Sequence, residues 1–156
     1  MAPLIRDLMT RNVEKVEPDS SVRKAAEILK DRDIGSLPVC IGKTVLGMLT
    51  DRDIVIRVVA EGRDSDTTRV RDIMSTDVVS VREDSDLIDA ERIMHDRQLR
   101  RLPVLNARDE LVGYLSMARV ARTEAPIQSG RVLQGVSQAS APAPMTTNIS
   151  RRQKSG

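Results

Sequence analysis

Thr50 and Asp53 stand three residues apart where an apolar run gives way to a helical pattern, in Gly47-Met48-Leu49-Thr50-Asp51-Arg52-Asp53-Ile54. A hydroxyl that ends a strand and opens a helix lies beside the free backbone N–H groups of the first helical turn, a natural place for a phosphate. A carboxylate one turn into that helix offers two acceptor oxygens to vicinal hydroxyls, the edge a ribose presents. The same Thr-x-x-Asp spacing is also close to a capping box, in which both residues merely satisfy helix N-terminal donors. Taken alone, the four residues lean toward the cap. Gly47 has an equally bland role, close backbone packing within a strand.

Little else in the chain advertises chemistry. One cysteine, Cys40, and one histidine, His95, exclude an intrachain disulfide and any ordinary Cys/His zinc cluster, so no metal site is expected. Cys40, in Leu37-Pro38-Val39-Cys40-Ile41, reads as a small buried strand residue, and His95 as a solvated residue near a helix end. No nucleophile–base pair, glycine-rich phosphate loop or buried carboxylate pair is legible, which argues against an enzyme and against a catalytic cofactor.

The elements that must position Thr50 and Asp53 are written twice. The stretch from Ile5 returns from Val70, at a period of about 65 residues. Arg6-Asp7-Leu8-Met9-Thr10 meets Arg71-Asp72-Ile73-Met74-Ser75, and Leu37-Pro38-Val39 meets Leu102-Pro103-Val104. After one inserted residue, Gly47-Met48-Leu49-Thr50 meets Gly113-Tyr114-Leu115-Ser116. The copies diverge where it matters: Asp53 finds Arg119 opposite it, and Arg101 finds Ser36.

Each copy reads as a short helical turn, a strand, a helix, two strands and a helix. Asp19 or Ser20 can cap a helix whose apolar residues Val22, Ala25, Ala26 and Leu29 keep helical spacing; Leu87, Ala90 and Met94 repeat the stripe. Ser36–Ile41 and Val45–Leu49 read as strands about the Gly42-Lys43 turn, as do 102–105 and 111–115 about the loop at Asn106. Asp51 to Glu61 reads as a helix stopped by Gly62. With Ile54, Val55, Ile56, Val58, Val59 and Ala60 it is more apolar than one core-facing stripe requires, which points to a second buried face and a homodimer.

These patterns divide the chain into a first repeat at 5–62, a polar linker at 63–69, a second repeat at 70–123 and a tail at 124–156 whose composition suggests disorder. Each repeat alone is short for an independent core, so the halves should fold against each other. Phe and Trp are absent and Tyr114 is the only aromatic, so the core must be aliphatic and base-stacking platforms are lacking. The formal charge of +2 comes from the tail's Arg131, Arg151, Arg152 and Lys154, which argues against nucleic acid as the main partner, although a tail contact stays open. No signal core and no membrane-spanning run is legible, so a cytoplasmic location is expected without membrane attachment.

In order and spacing, the two copies resemble a tandem pair of CBS domains over nearly all of residues 5–122, and especially the small bacterial two-CBS proteins of the hypoxic-response type. The resemblance implies an α/β (α+β) fold of two βαββα repeats related by a pseudo-twofold axis, with two clefts that can each hold an adenosine nucleotide. It places the ribose aspartate on Asp53, the phosphate-side hydroxyl on Thr50, the adenine among Met48, Val79 and Leu99, and a phosphate-reaching arginine on Arg101. The second, weaker cleft would hold Ile34, Tyr114, Ser116 and Arg119, where Arg119 either binds phosphate or is simply solvated. The implied function is a regulatory module in signal transduction that senses AMP, ADP, ATP or NAD and acts on an unidentified protein in trans. The competing reading is a ligand-independent dimeric scaffold.

Overall fold

The two repeats complete each other's sheets. The computed structural model describes residues 3–123, and the expected disorder of the tail falls outside them. The elements run α1 (Ile5–Leu8), α2 (Val22–Arg32), β1 (Ser36–Ile41), β2 (Thr44–Thr50), α3 (Asp51–Ile54), α4 (Val70–Ile73), β3 (Val81–Arg82), α5 (Leu87–Arg97), β4 (Arg101–Leu105), β5 (Leu111–Ser116) and α6 (Met117–Thr123).

Strands β1 and β2 pair antiparallel, with Pro38 opposite Met48 and Ser36 opposite Thr50. Strands β4 and β5 repeat the pattern, with Pro103 opposite Tyr114 and Arg101 opposite Ser116. The strand expected before each long helix is slight: β3 pairs parallel with β4 over two residues, and its first-repeat counterpart is the single bridge Val16–Val39.

The outer edge of each antiparallel pair is closed by the other copy. Thr10, just after α1, exchanges backbone hydrogen bonds with Tyr114 of β5 (2.8 and 2.9 Å), and Ser75, just after α4, exchanges them with Met48 of β2 (2.8 and 2.9 Å). Ile5 and Met9 accordingly lie in a core with Leu87, Met94, Leu102 and Leu115, while Val70 and Ile73 lie in a core with Val22, Leu29, Leu37 and Leu49. Both cores are aliphatic, and burying each such side chain contributes about 1.5–3 kcal/mol.

Two glycines permit this exchange by close approach. A Cβ on Gly47 would sit 2.7 Å from the Ser75 carbonyl oxygen and 2.8 Å from Met74 Sδ. One on Gly113 would sit 2.5 Å from Met9 Sδ and 3.0 Å from the Thr10 oxygen.

Two local expectations are corrected. Helix α2 is capped by Ser21, whose Oγ accepts from the Lys24 N–H (3.1 Å), and not by Asp19 or Ser20. The backbone there is committed elsewhere, because the carbonyls of Pro18 and Ser20 accept from Arg71 and Val70. The helix expected over 51–61 is α-helical only to Ile54 and then widens into a π turn over Val55–Val59, closed by Ala60 N–H to Val55 O at 2.9 Å. A run of β-branched residues crowds a normal α turn, and the wider turn relieves that crowding. Gly62 follows at φ +68°, a left-handed position suited to glycine.

The polar linker is itself anchored. Thr68 is buried and its carbonyl accepts from Val22 N–H at 2.9 Å, while Asp64 Oδ1 accepts from the backbone N–H groups of Asp66 and Thr67.

Candidate ligand clefts

The end of β2 and the start of α3 hold Thr50 and Asp53 in a completed capping box. Thr50 Oγ1 accepts from Asp53 N–H at 3.1 Å, and Asp53 Oδ2 accepts from Thr50 N–H at 2.9 Å. The box uses one carboxylate oxygen and the acceptor side of the hydroxyl, so the Thr50 proton can still be donated. Both residues are half-buried.

They face a cleft of about 830 Å³ between the two repeats. Met48 of β2, Val79 before β3, Leu99 after α5 and Arg101 at the start of β4 line the same cleft, so all six first-cleft positions read from the sequence lie along one cavity. The Ser75–Met48 bridge and the Ser36–Thr50 pairing set its walls in register. Carboxylates of Asp51, Asp53 and Asp77 and guanidiniums of Arg52, Arg100 and Arg101 balance its formal charge. The sequence reading missed Asp51 and Asp77. Only the closure of the repeats brings Asp77 to the cavity, and Asp51 is in sequence indistinguishable from an ordinary first-turn acid.

The second cleft is smaller, about 270 Å³, and Ile34, Tyr114 and Ser116 line it. Arg119 does not: its Nη1 donates to Thr10 Oγ1 at 3.1 Å, and Thr10 lines the cavity. Ser116 Oγ accepts from Arg119 N–H at 3.3 Å, so this copy keeps half the capping box and lacks the carboxylate that completes it. Arg32, another lining residue, is paired with Glu14 at 3.0 Å.

A hydrogen bond stands between the clefts. Ser36 Oγ and Tyr114 Oη lie 3.1 Å apart across the repeats, and Ser36, Tyr114 and Arg101 each line both cavities. Burial pushes the Tyr114 phenol above its ordinary value, while the hydrogen bond with Ser36 and the nearby Arg101 charge oppose that shift. By pseudo-symmetry Met48 stands where Tyr114 does and Arg101 where Ser36 does, so the partnership is one-sided.

Cys40 is buried on β1, and burial raises its thiol pKa, with the Lys15 charge opposing. His95, in the last turn of α5, is exposed beside Asp96. Among the described residues no group of three or more His, Cys, Asp or Glu could hold a metal ion, and no helix is long and apolar enough to cross a membrane.

Two interleaved α+β repeats with a cleft on each side of a pseudo-twofold axis define a tandem paired-repeat module. The chain belongs to the CBS-domain family: the family model matches residues 5–60 and again 70–125. It is similar to the CBS domain-containing protein YhcV of Bacillus subtilis, at 37% identity over 134 residues, covering 85% of this chain and 94% of YhcV. The crystal structure of Hypoxic Response Protein I with two coordinated zinc ions superposes with a TM-score of 0.72 at 32% identity, over 79% of this chain and 100% of that one. The CBS domain pair of protein MJ0100, solved in complex with 5-methylthioadenosine and S-adenosyl-L-methionine, has the same fold, with a TM-score of 0.67 at 21% identity over 78% of this chain and 95% of that one.

Proposed function

We propose that this chain is a non-catalytic sensor of an adenosyl ligand, AMP, ADP, ATP, NAD or S-adenosylmethionine, and that it acts on a partner protein in trans. The observation that carries this reading is the roomy inter-repeat cleft with Asp53 and Arg101 both on its wall. Asp53 accepts from the ribose hydroxyls through the oxygen that the capping bond leaves over. Thr50 donates to a phosphate oxygen, and Arg101 supplies the matching charge. Met48, Val79 and Leu99 give the purine its apolar surface. The CBS pair bound to two adenosyl compounds supports the ligand class.

Binding shifts the balance between arrangements of the repeats by no more than the ligand's differential affinity for them. The readout is a homodimer, formed through the face where Val55, Ile56 and Val59 are 57%, 44% and 69% exposed while Val58 alone of that π turn is buried.

The alternative, a ligand-independent dimeric scaffold, draws its support from the completed capping box, which gives Thr50 and Asp53 a sufficient structural role. Calorimetric titration with AMP, ATP, NAD and S-adenosylmethionine tests both readings, run on the parent chain, Asp53→Ala and Asp53→Asn. The sensor predicts saturable binding by the parent that is weakened in both variants. No binding of any of the four by the parent leaves the scaffold.

A further inference from the structure

The first cleft is bordered by Arg101 from β4, and so is the second. At the pseudo-equivalent position of the first repeat stands Ser36, which brings a hydroxyl and no charge. The position that could give each cleft its own guanidinium does so only once, and while the first cleft also has Arg52 and Arg100 on its wall, the second has only Arg32 besides Arg101. Arg32 does not make up the difference, because Glu14 neutralises it at 3.0 Å, and Arg119 is held to Thr10 outside the cavity lining. Ser36 and Tyr114, joined at 3.1 Å, form the partition across which Arg101 must choose.

We propose that Arg101 is a shared anion-binding residue whose commitment to one cleft withdraws it from the other, so that the clefts are negatively coupled for phosphorylated ligands and uncoupled for uncharged ones. This rests on the nucleotide reading above. An exposed guanidinium on a flexible stem reaches either side at little cost but cannot neutralise two phosphates at once. With Arg101 committed to the first cleft, a phosphate in the second meets only the Glu14-paired Arg32 and a like charge across the partition. Adenosine, which lacks a phosphate, does not draw on Arg101 in either cleft.

The test makes the second cleft competent for a nucleoside and reads its dependence on Arg101. Arg119→Asp supplies the missing ribose acceptor at an exposed position. Titration of this variant with AMP is expected to show two steps separated by about tenfold more than the two adenosine steps. Adding Ser36→Arg gives the second cleft its own guanidinium and should bring the AMP steps back to the adenosine spacing. In the parent fold, Arg101→Ala should weaken AMP binding and leave adenosine binding unchanged.

Equal spacing for AMP and adenosine in Arg119→Asp overturns the coupling, as does an AMP spacing that Ser36→Arg leaves untouched. Loss of adenosine binding in Arg101→Ala overturns it as well, since Arg101 would then serve the fold or the nucleoside. Absence of AMP and adenosine binding to the parent chain is a different failure, that of the nucleotide reading itself. Tyr114, the only aromatic residue of the chain, borders both clefts and offers an intrinsic emission signal for either occupancy.

Discussion

At the scale of single residues, Asp53 closes the cap and, on the proposed nucleotide reading, also takes the ribose, and different substitutions separate the two roles. Its Oδ2 closes the cap on Thr50 N–H, and an amide oxygen can take over that bond. Asp53→Asn is therefore expected to keep the melting temperature of the unliganded protein close to the parent's while weakening nucleotide binding. Asp53→Ala loses both, with a destabilisation of about 1 kcal/mol, typical of a broken N-terminal cap. Thermal unfolding with and without AMP checks the pair, because only a binding-competent chain gains stability from ligand.

Tyr114 permits a second residue-scale prediction. Its phenol is held above the ordinary value of 10.0 by burial, so the phenolate absorbance of the folded chain should titrate later than that of the unfolded chain. Because the native state retains this proton where the unfolded chain has lost it, the contribution is fully present below the unfolded pKa. It is lost as pH rises through the folded one. Ser36→Ala removes a contact that lowers this pKa, and should move the titration further upward.

At the scale of elements, the hairpins and long helices were legible because their signals are local. Apolar runs about Gly42-Lys43 and the stripe through Val22, Ala25 and Leu29 depend only on neighbours in sequence. The cap of α2 was not legible, since it depends on where α4 docks against Pro18 and Ser20; the π turn rests on the β-branched run Val55–Val59, a local signal that apolar periodicity does not weigh. The candidate site was half legible in the same way. Thr50 and Asp53 announce themselves by spacing, whereas the dual position of Arg101 depends on how two hairpins meet.

Gly47 is the element-scale position most sensitive to change. An added methyl would press on the Ser75 carbonyl, whose hydrogen bond from Met48 N–H at 2.8 Å leaves it little freedom to retreat. Gly47→Ala should cost about 1–3 kcal/mol, the range for overpacking, read as a lower urea midpoint with an unchanged slope.

At the scale of the whole molecule, the repeats share one asymmetry of surface. The last helical segment of the first copy exposes Val55, Ile56 and Val59, while the corresponding stretch of the second copy is Ala121, Arg122 and further residues toward the tail. If the first copy's face joins two chains, Val59→Asp should shift the sedimentation coefficient from dimer to monomer. Because Val59 is 69% exposed within one chain, the monomer itself should lose no more than about 0.5 kcal/mol.

The exchange of α1 and α4 between the copies gives the chain a particular order of assembly. During synthesis, the first repeat emerges without the Ser75 segment that seals β2, and with Ile5 and Met9 still waiting for a core that has not been made. The first core and the β2 edge can close once residue 75 has emerged, whereas Ile5 and Met9 stay orphaned until about residue 120 has left the ribosome. Removal of residues 3–10 consequently strips the core of the second repeat, whose members start at Val81, and leaves the core of the first repeat intact.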